Sequence, residues 1–430
     1  MSTEQISATR PRNRRQLIVE AAGRLFSERG YHAASMEDIA ARVGISAAAL
    51  YRHFPNKYAL FAECAHTLVD RLVAALDPLP PDAAPADVFT ALARVTVAHR
   101  ASGGVYRWEA RYLDRADRRL LRAKFARVVG RVTEAVRREV PLPDGQLRAV
   151  AALGAIGSIT MHRTSIAQRR AEDLLSACAL RVAATDPAPP ATDPATDPGP
   201  PATDPGPPAT DPGPPATDPG PPATDPATDP APPVAGPRRV ELPALPVPHS
   251  RRAEILAAAV PLFARDGFAH VTNGQIARAV GLAPSALYRH YPGKVDILAA
   301  ACLQAARLLA QAVDRNLRGV AGPREAVEAL AATYVAYSFE HTALTSVAEA
   351  EFVGLPAALR RPLVQAQREH IAGWERQLRL ARPGLDPRQA RVLVHAGFGV
   401  VVEAGRHLRW RDTPGNRAAV TGLVVGALGL

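Results

Sequence analysis

The stretch ALYRHFPNK at residues 49–57 returns as ALYRHYPGK at 286–294, with seven of nine positions identical across an offset of 237. Residues 14–62 align with 251–299 without a gap and agree at 20 of 49 positions. The repeated unit is therefore a domain rather than a motif, and whatever one copy folds into, the other must also fold into. A chain of 430 residues has room for two such units, each with its own core.

Apolar residues within the repeat fall at helical spacing. Leu17, Ile18, Ala21, Ala22, Leu25 and Phe26 line one face of an amphipathic helix that Gly30 stops. Ser35 caps a second, short helix carrying Ile39, Ala40 and Val43 and ending at Gly44; Ser46 caps a third carrying Leu50 and Phe54, which ends before Pro55. The second copy repeats the plan: a helix from Arg251 to Phe263, Gly267 as its stop, Thr272 as the next cap, then Ile276, Ala277, Val280 and a turn at Gly281. Helix, helix, glycine turn and helix describe a helix-turn-helix, whose last helix enters the major groove of DNA.

With Leu50 and Phe54 facing inward, Ala47, Ala48, Tyr51 and Arg52 are left outside. The phenol, guanidinium and imidazole of Tyr51, Arg52 and His53 suit phosphate oxygens and base edges. Of the 52 basic residues only Lys57, Lys124 and Lys294 are lysines, and two of these sit at matching places in the repeat. A point-like ammonium is wanted there, just past the proline and at the start of the next helix.

Between the copies, residues 184–233 are built from ATDPGPP, ATDPAPP and ATDP units and hold 20 of the 41 prolines. Such a composition cannot pack a core, and at about 3.1 Å per residue it extends at most roughly 150 Å. Its eight Asp residues have no basic counterpart, so the formal charge of +11 becomes +19 for the rest of the chain, which suits a polyanionic partner.

The runs SMEDIAARVGISAAALYRHFPNK from Ser35 and TNGQIARAVGLAPSALYRHYPGK from Thr272 resemble the TetR/AcrR family of transcriptional regulators. The resemblance covers about 50 residues in each half. It implies an all-α fold with two tandem units: helix-turn-helix domains at 10–60 and 249–297, helical ligand-binding and pairing domains at 61–183 and 298–430, and a Pro/Asp-rich linker at 184–237. It also implies double-stranded operator DNA and a small-molecule effector as partners. Ser35, Ser46, Tyr51, His53 and Lys57 would contact phosphates, with Ala47, Ala48 and Arg52 facing bases. In the second copy Thr272, Ala283, Tyr288, His290 and Lys294 would contact phosphates, with Pro284, Ser285 and Arg289 facing bases.

Outside the motifs, Glu109, Leu113, Arg118 and Arg119 echo Glu351, Leu355, Arg360 and Arg361 at a nearly constant offset. Each half also ends in a helix rich in small residues, around Ala151, Gly154 and Gly157 in one and Ala396, Gly397 and Gly399 in the other, followed by a last apolar helix. In the resembled family such helices form the dimer bundle, so the two halves are expected to pair within one chain as a pseudo-dimer. Trp108, Tyr112, Tyr334, Tyr337, His341 and Trp374 are the candidate lining of a pocket for a small, largely apolar effector, although aromatic residues at helical spacing also serve as core.

No glycine-rich phosphate loop, metal-ligand cluster or nucleophile elbow is present, so no enzyme, cofactor or metal is expected. Cys64, Cys178 and Cys302 are isolated and read as buried thiols. The N-terminus lacks an apolar signal region and the apolar run from Ala418 to Leu430 is too short to span a bilayer, which points to a cytoplasmic protein with no membrane partner. The reading that follows is a ligand-responsive transcriptional repressor; the competing one is an architectural DNA-bridging protein without an effector.

Overall fold

A computed structural model describes residues 14–103, 105, 112–139, 144–186 and 240–430, and among them the secondary structure is helical with no strand. The first half comprises α1 (Arg14–Ala33), α2 (Met36–Val43), α3 (Ala47–Tyr51), α4 (Lys57–Leu76), α5 (Pro85–Ala98), α6 (Arg115–Glu139), α7 (Gly145–Gly157) and α8 (Gln168–Ala184). The second comprises α9 (Arg251–Asp266), α10 (Asn273–Ala279), α11 (Pro284–Leu287), α12 (Lys294–Leu317), α13 (Pro323–Glu340), α14 (Thr342–Glu351), α15 (Ala357–Ala381), α16 (Pro387–His407) and α17 (Pro414–Leu428).

Each helix-turn-helix head has its own small core. In the first, Ile18, Ala22, Phe26, Ile39, Leu50 and Phe54 pack with Leu60 and Phe61 of α4; in the second, Ile255, Ala259, Phe263, Ile276, Leu287 and Tyr291 pack with Ile297 and Leu298 of α12. The echo outside the repeat is structural as well. Leu113 is buried in the first head's core and Leu355 in the second's, so each larger domain sends an equivalent leucine under its head.

The expected linker start is displaced slightly. Ala184 still belongs to α8, and Asp186 pairs with Arg148, whose wholly buried guanidinium also donates to the Ala183 carbonyl. Burying that cation requires its partners, which ties down the chain here. From residue 187 the proposed linker lies outside the described residues. Where description resumes, Glu241 exchanges two backbone hydrogen bonds with the Asn316 amide at 2.9 and 2.8 Å, fastening the chain to α12 ahead of the second head.

The two halves form one compact unit, joined where their small-residue helices meet. Gly154 of α7 and Gly399 of α16 approach so closely that a Cβ on either would overlap the other's backbone carbonyl. Beside them α8 meets α17: Arg181 donates to the carbonyls of Gly426 and Ala427 at 3.2 and 3.0 Å, and the Cys178 thiol to Ala427 at 3.2 Å. Last-turn carbonyls of a helix lack i+4 donors; the Gly429 amide caps Gly426 at 3.0 Å, and arginine from the other half adds donors to both Gly426 and Ala427. His162, just after α7, stacks on His395 of α16 with ring centroids 4.1 Å apart.

All three thiols are buried, and burial raises their pKa, that of Cys178 to about 11. α12 is long and apolar enough to cross a membrane by length and composition, but Ile297, Leu298, Cys302, Ala305 and Leu308 of its length are buried within the protein.

Candidate nucleic-acid interface

The geometry of each head follows from its caps and glycines. In the first, Gly30 (φ 79°) breaks α1; Ser35 and Asp38 form a reciprocal capping box that starts α2; Gly44 (φ 73°) ends it. The Ser46 hydroxyl then accepts from the Ala49 amide at 3.1 Å to start α3. Gly267 (φ 78°), the Thr272–Gln275 capping box and Gly281 (φ 67°) repeat the arrangement, except that Ala283 makes no side-chain cap at α11. These positive-φ positions are where glycine is needed, since a Cβ would be strained.

Leu50 and Phe54 face inward, as do Leu287 and Tyr291. That leaves Ala48, Tyr51 and Arg52 exposed on one head, with Ala47 and His53 half-buried; Pro284, Ser285, Tyr288 and Arg289 are exposed on the other, with His290 half-buried. Tyr51 and Tyr288 are among the exposed large hydrophobic side chains of the described residues. The third-helix residues singled out from the sequence are thus exposed or half-buried on each head.

Two expectations need correcting. Lys57 and Lys294 do not present their ammonium groups to a phosphate. Lys57 Nζ donates to the carbonyls of Ala34 (2.9 Å) and His32 (3.4 Å) and lies 4.6 Å from the centre of the Tyr31 ring; Lys294 Nζ donates to Phe268 (2.7 Å), Val271 (2.7 Å) and Ala269 (3.4 Å), over the Phe268 ring. The glycine break frees these carbonyls from the helix ladder, and one compact ammonium can serve several that converge, where a planar guanidinium could not. Partial burial lowers both lysine pKa values. The hydroxyls of Ser35 and Thr272 are likewise committed: each accepts from a backbone amide and donates to the side chain of Asp38 or Gln275.

Sequence reasoning passed over Arg15 and Arg252. Arg15 lies 4.1 Å over the Phe54 ring and donates to the His53 carbonyl at 2.8 Å; Arg252 lies 4.0 Å over Tyr291 and donates to the His290 carbonyl. They pin the end of the third helix. Their signal was available, because arginine occupies both matching positions of the repeat.

The heads also differ at the first residue of the second helix, Met36 in one and Asn273 in the other. Met36 is buried in the head core. Asn273 instead donates its amide to the Tyr288 phenol oxygen at 2.8 Å.

The candidate effector residues separate into two groups. Trp374 and Tyr337 are buried, with Trp374 Nε1 donating to His370 Nε2 at 3.2 Å and the Tyr337 hydroxyl to the Ala305 carbonyl at 2.8 Å. His341 packs edge-on against Tyr337, and Tyr334 packs against Phe398 and Trp374. These four make core contacts. Tyr112 instead stacks on Tyr31 and lines a cleft of about 450 Å³ with Arg118, Phe263, Ser338, Thr345 and Trp410. Trp108 lies outside the described residues.

The profile for bacterial regulatory proteins of the tetR family matches residues 18–64 and 255–301. The chain is 45% identical over 64 residues to the HTH-type transcriptional activator FasR of Mycolicibacterium smegmatis, covering 15% of this chain and 29% of that one. It is 41% identical over 70 residues to the nucleoid occlusion factor SlmA of Photorhabdus laumondii, covering 16% and 35%. The chain thus spans about a third of the length of these curated relatives. Among solved structures, the TetR family regulator PfmR of Thermus thermophilus is 27% identical with a TM-score of 0.35, covering 38% of this chain and 96% of that one. The ketosteroid transcriptional regulator KstR2 of Mycobacterium tuberculosis is 20% identical with a TM-score of 0.37, covering 44% and 97%. Both heads belong to the TetR family of bacterial regulatory proteins, and this chain carries two of them in tandem.

Proposed function

We propose that this protein is a transcriptional repressor in which one polypeptide supplies both DNA-binding heads as an intramolecular pseudo-dimer, and which a small molecule releases from its operator. The observation carrying this reading is the pairing of two complete heads with two domains whose α7 and α16 pack glycine to glycine. Such close packing satisfies within one chain a surface that a single unit would have to cover with a second copy.

The effector site of this reading is the cleft beside Tyr112. Its aromatic faces, Tyr112, Phe263 and Trp410, stand among the hydroxyls of Ser338 and Thr345 and the Arg118 guanidinium, which suits an amphiphilic molecule better than the largely apolar one expected from sequence. The cleft borders both heads: Tyr112 stacks on Tyr31, at the break of α1, while Gly267 and His270 follow α9. A molecule bound there acts on DNA affinity to the extent that it favours one head spacing over another.

Selection of bound fragments from random duplex DNA tests the reading. Recovery of one preferred sequence with a discrete footprint supports it. Uniform, steeply salt-dependent binding with no preferred sequence favours a DNA-bridging protein and contradicts it.

A further inference from the structure

The two heads carry the same formal net charge over residues 14–62 and 251–299, +3 each, but distribute it differently beyond their first helices. Between Ser35 and Lys57 the first head carries Glu37 and Asp38 against Arg42, Arg52 and Lys57; between Thr272 and Lys294 the second carries Arg278, Arg289 and Lys294 with no acid. Both lysines are turned into the fold, so the imbalance on the surface rests on the remaining groups. Arg42 is engaged by Glu28 at 2.9 Å and Asp38 by Arg29 at 3.3 Å, so the difference between the heads rests chiefly on Glu37.

The acids are not required by the architecture. Asp38 starts α2 by accepting from the Ser35 amide and hydroxyl, and Gln275 starts α10 by accepting from the Thr272 amide and hydroxyl at 2.7 and 3.0 Å. The same cap is made with a charge in one head and without it in the other. Hydrogen bonds from Ser35, with Arg29 nearby, lower the Asp38 pKa and keep it ionised. Glu37 beside it is exposed, while Gly274 occupies the matching position. In a helix-turn-helix the first helix of the pair crosses the DNA backbone, where carboxylates repel phosphate.

The reading surfaces differ in the same direction. Ala47 and Ala48 offer only methyl groups, whereas Ser285 offers a hydroxyl that can pair with several base edges. Asn273 holds the Tyr288 phenol in place before DNA arrives; in the first head the matching residue is the buried Met36, so Tyr51 lacks that tether. Pre-ordering a contact side chain lowers the cost of binding.

We infer that the heads are unequal: the second supplies most of the affinity and base discrimination, and the first is a weak head held at the operator by its covalent attachment. This rests on the DNA-binding reading above. The effective concentration conferred by tethering lets a weak second contact form without strong contacts of its own.

The test uses the full chain and the duplex recovered by selection. Arg289→Ala should weaken binding by about 10- to 100-fold, while Arg52→Ala should cost less than about threefold. Gln275→Glu retains a capping acceptor and adds a charge, so it should weaken binding; Glu37→Gln should strengthen it about two- to tenfold and steepen the salt dependence. Equal losses from Arg52→Ala and Arg289→Ala would overturn the inference. So would a loss on Glu37→Gln, which would mean that this carboxylate accepts a hydrogen bond from a cytosine amine and that the first head reads bases. Thermal melting of each variant separates these effects from misfolding. Failure of the unmodified chain to bind any duplex would be seen before any variant and would overturn the DNA-binding reading together with this one.

Discussion

Lysine at 57 and 294 illustrates how a residue chosen for its chemistry can be assigned to the wrong surface. The sequence shows that an ammonium is wanted at each place, and the carbonyls left by the α1 and α9 breaks show what for. Lys294→Met keeps most of the aliphatic stem and removes the donors. It should destabilise the second head by about 1–3 kcal/mol, measured by chemical denaturation, because buried carbonyls lose their partner. It should also leave the salt dependence of DNA binding unaltered; a slope flatter by about 0.9 would restore the lysine to a phosphate. At this scale, position along the chain was legible, but the direction of a side chain was not. Met36 and Asn273 make the same point, since only packing shows that one is core and the other a brace for Tyr288.

Among the elements, the α7–α16 crossing carries the association of the halves. Gly154→Val should separate the helices and lower the melting stability of the whole chain by about 1–3 kcal/mol or more, since the opposing group is backbone and cannot repack. A variant with unchanged melting and unchanged mass would show that the halves do not depend on this contact. The stacked His162 and His395 make the same region sensitive to acid. Burial is the main cause lowering both pKa values, with the charge of Arg391 adding to it, and Arg100 also bears on His162; His395 is held at about 4. Because the folded state resists protonation, its stabilising effect is full above about pH 6.5 and is lost as pH falls from there towards 4. Replacing both with leucine should flatten melting temperature against pH between about 6.5 and 5; an unaltered curve would assign the acid sensitivity elsewhere. The helices of each head were readable because caps, glycine stops and apolar spacing agree locally. The small residues of α7 and α16 were readable as a contact, while the histidine stack was not, because 233 residues separate its members along the chain.

For the whole molecule, the tandem arrangement changes what an operator must look like. Two identical heads on a symmetric dimer require a palindrome with half-sites roughly 34–36 Å apart or a multiple of that. Here Ala47 and Ala48 are replaced by Pro284 and Ser285, and Glu37 by Gly274, so two unlike half-sites are expected within one site. The intact mass of the complex formed with the selected operator, together with the sequence of that operator, tests this most directly. One chain bound to a duplex bearing two unlike half-sites, one strongly and one weakly specified, is the result the account predicts. Two chains bound to a palindrome would contradict it.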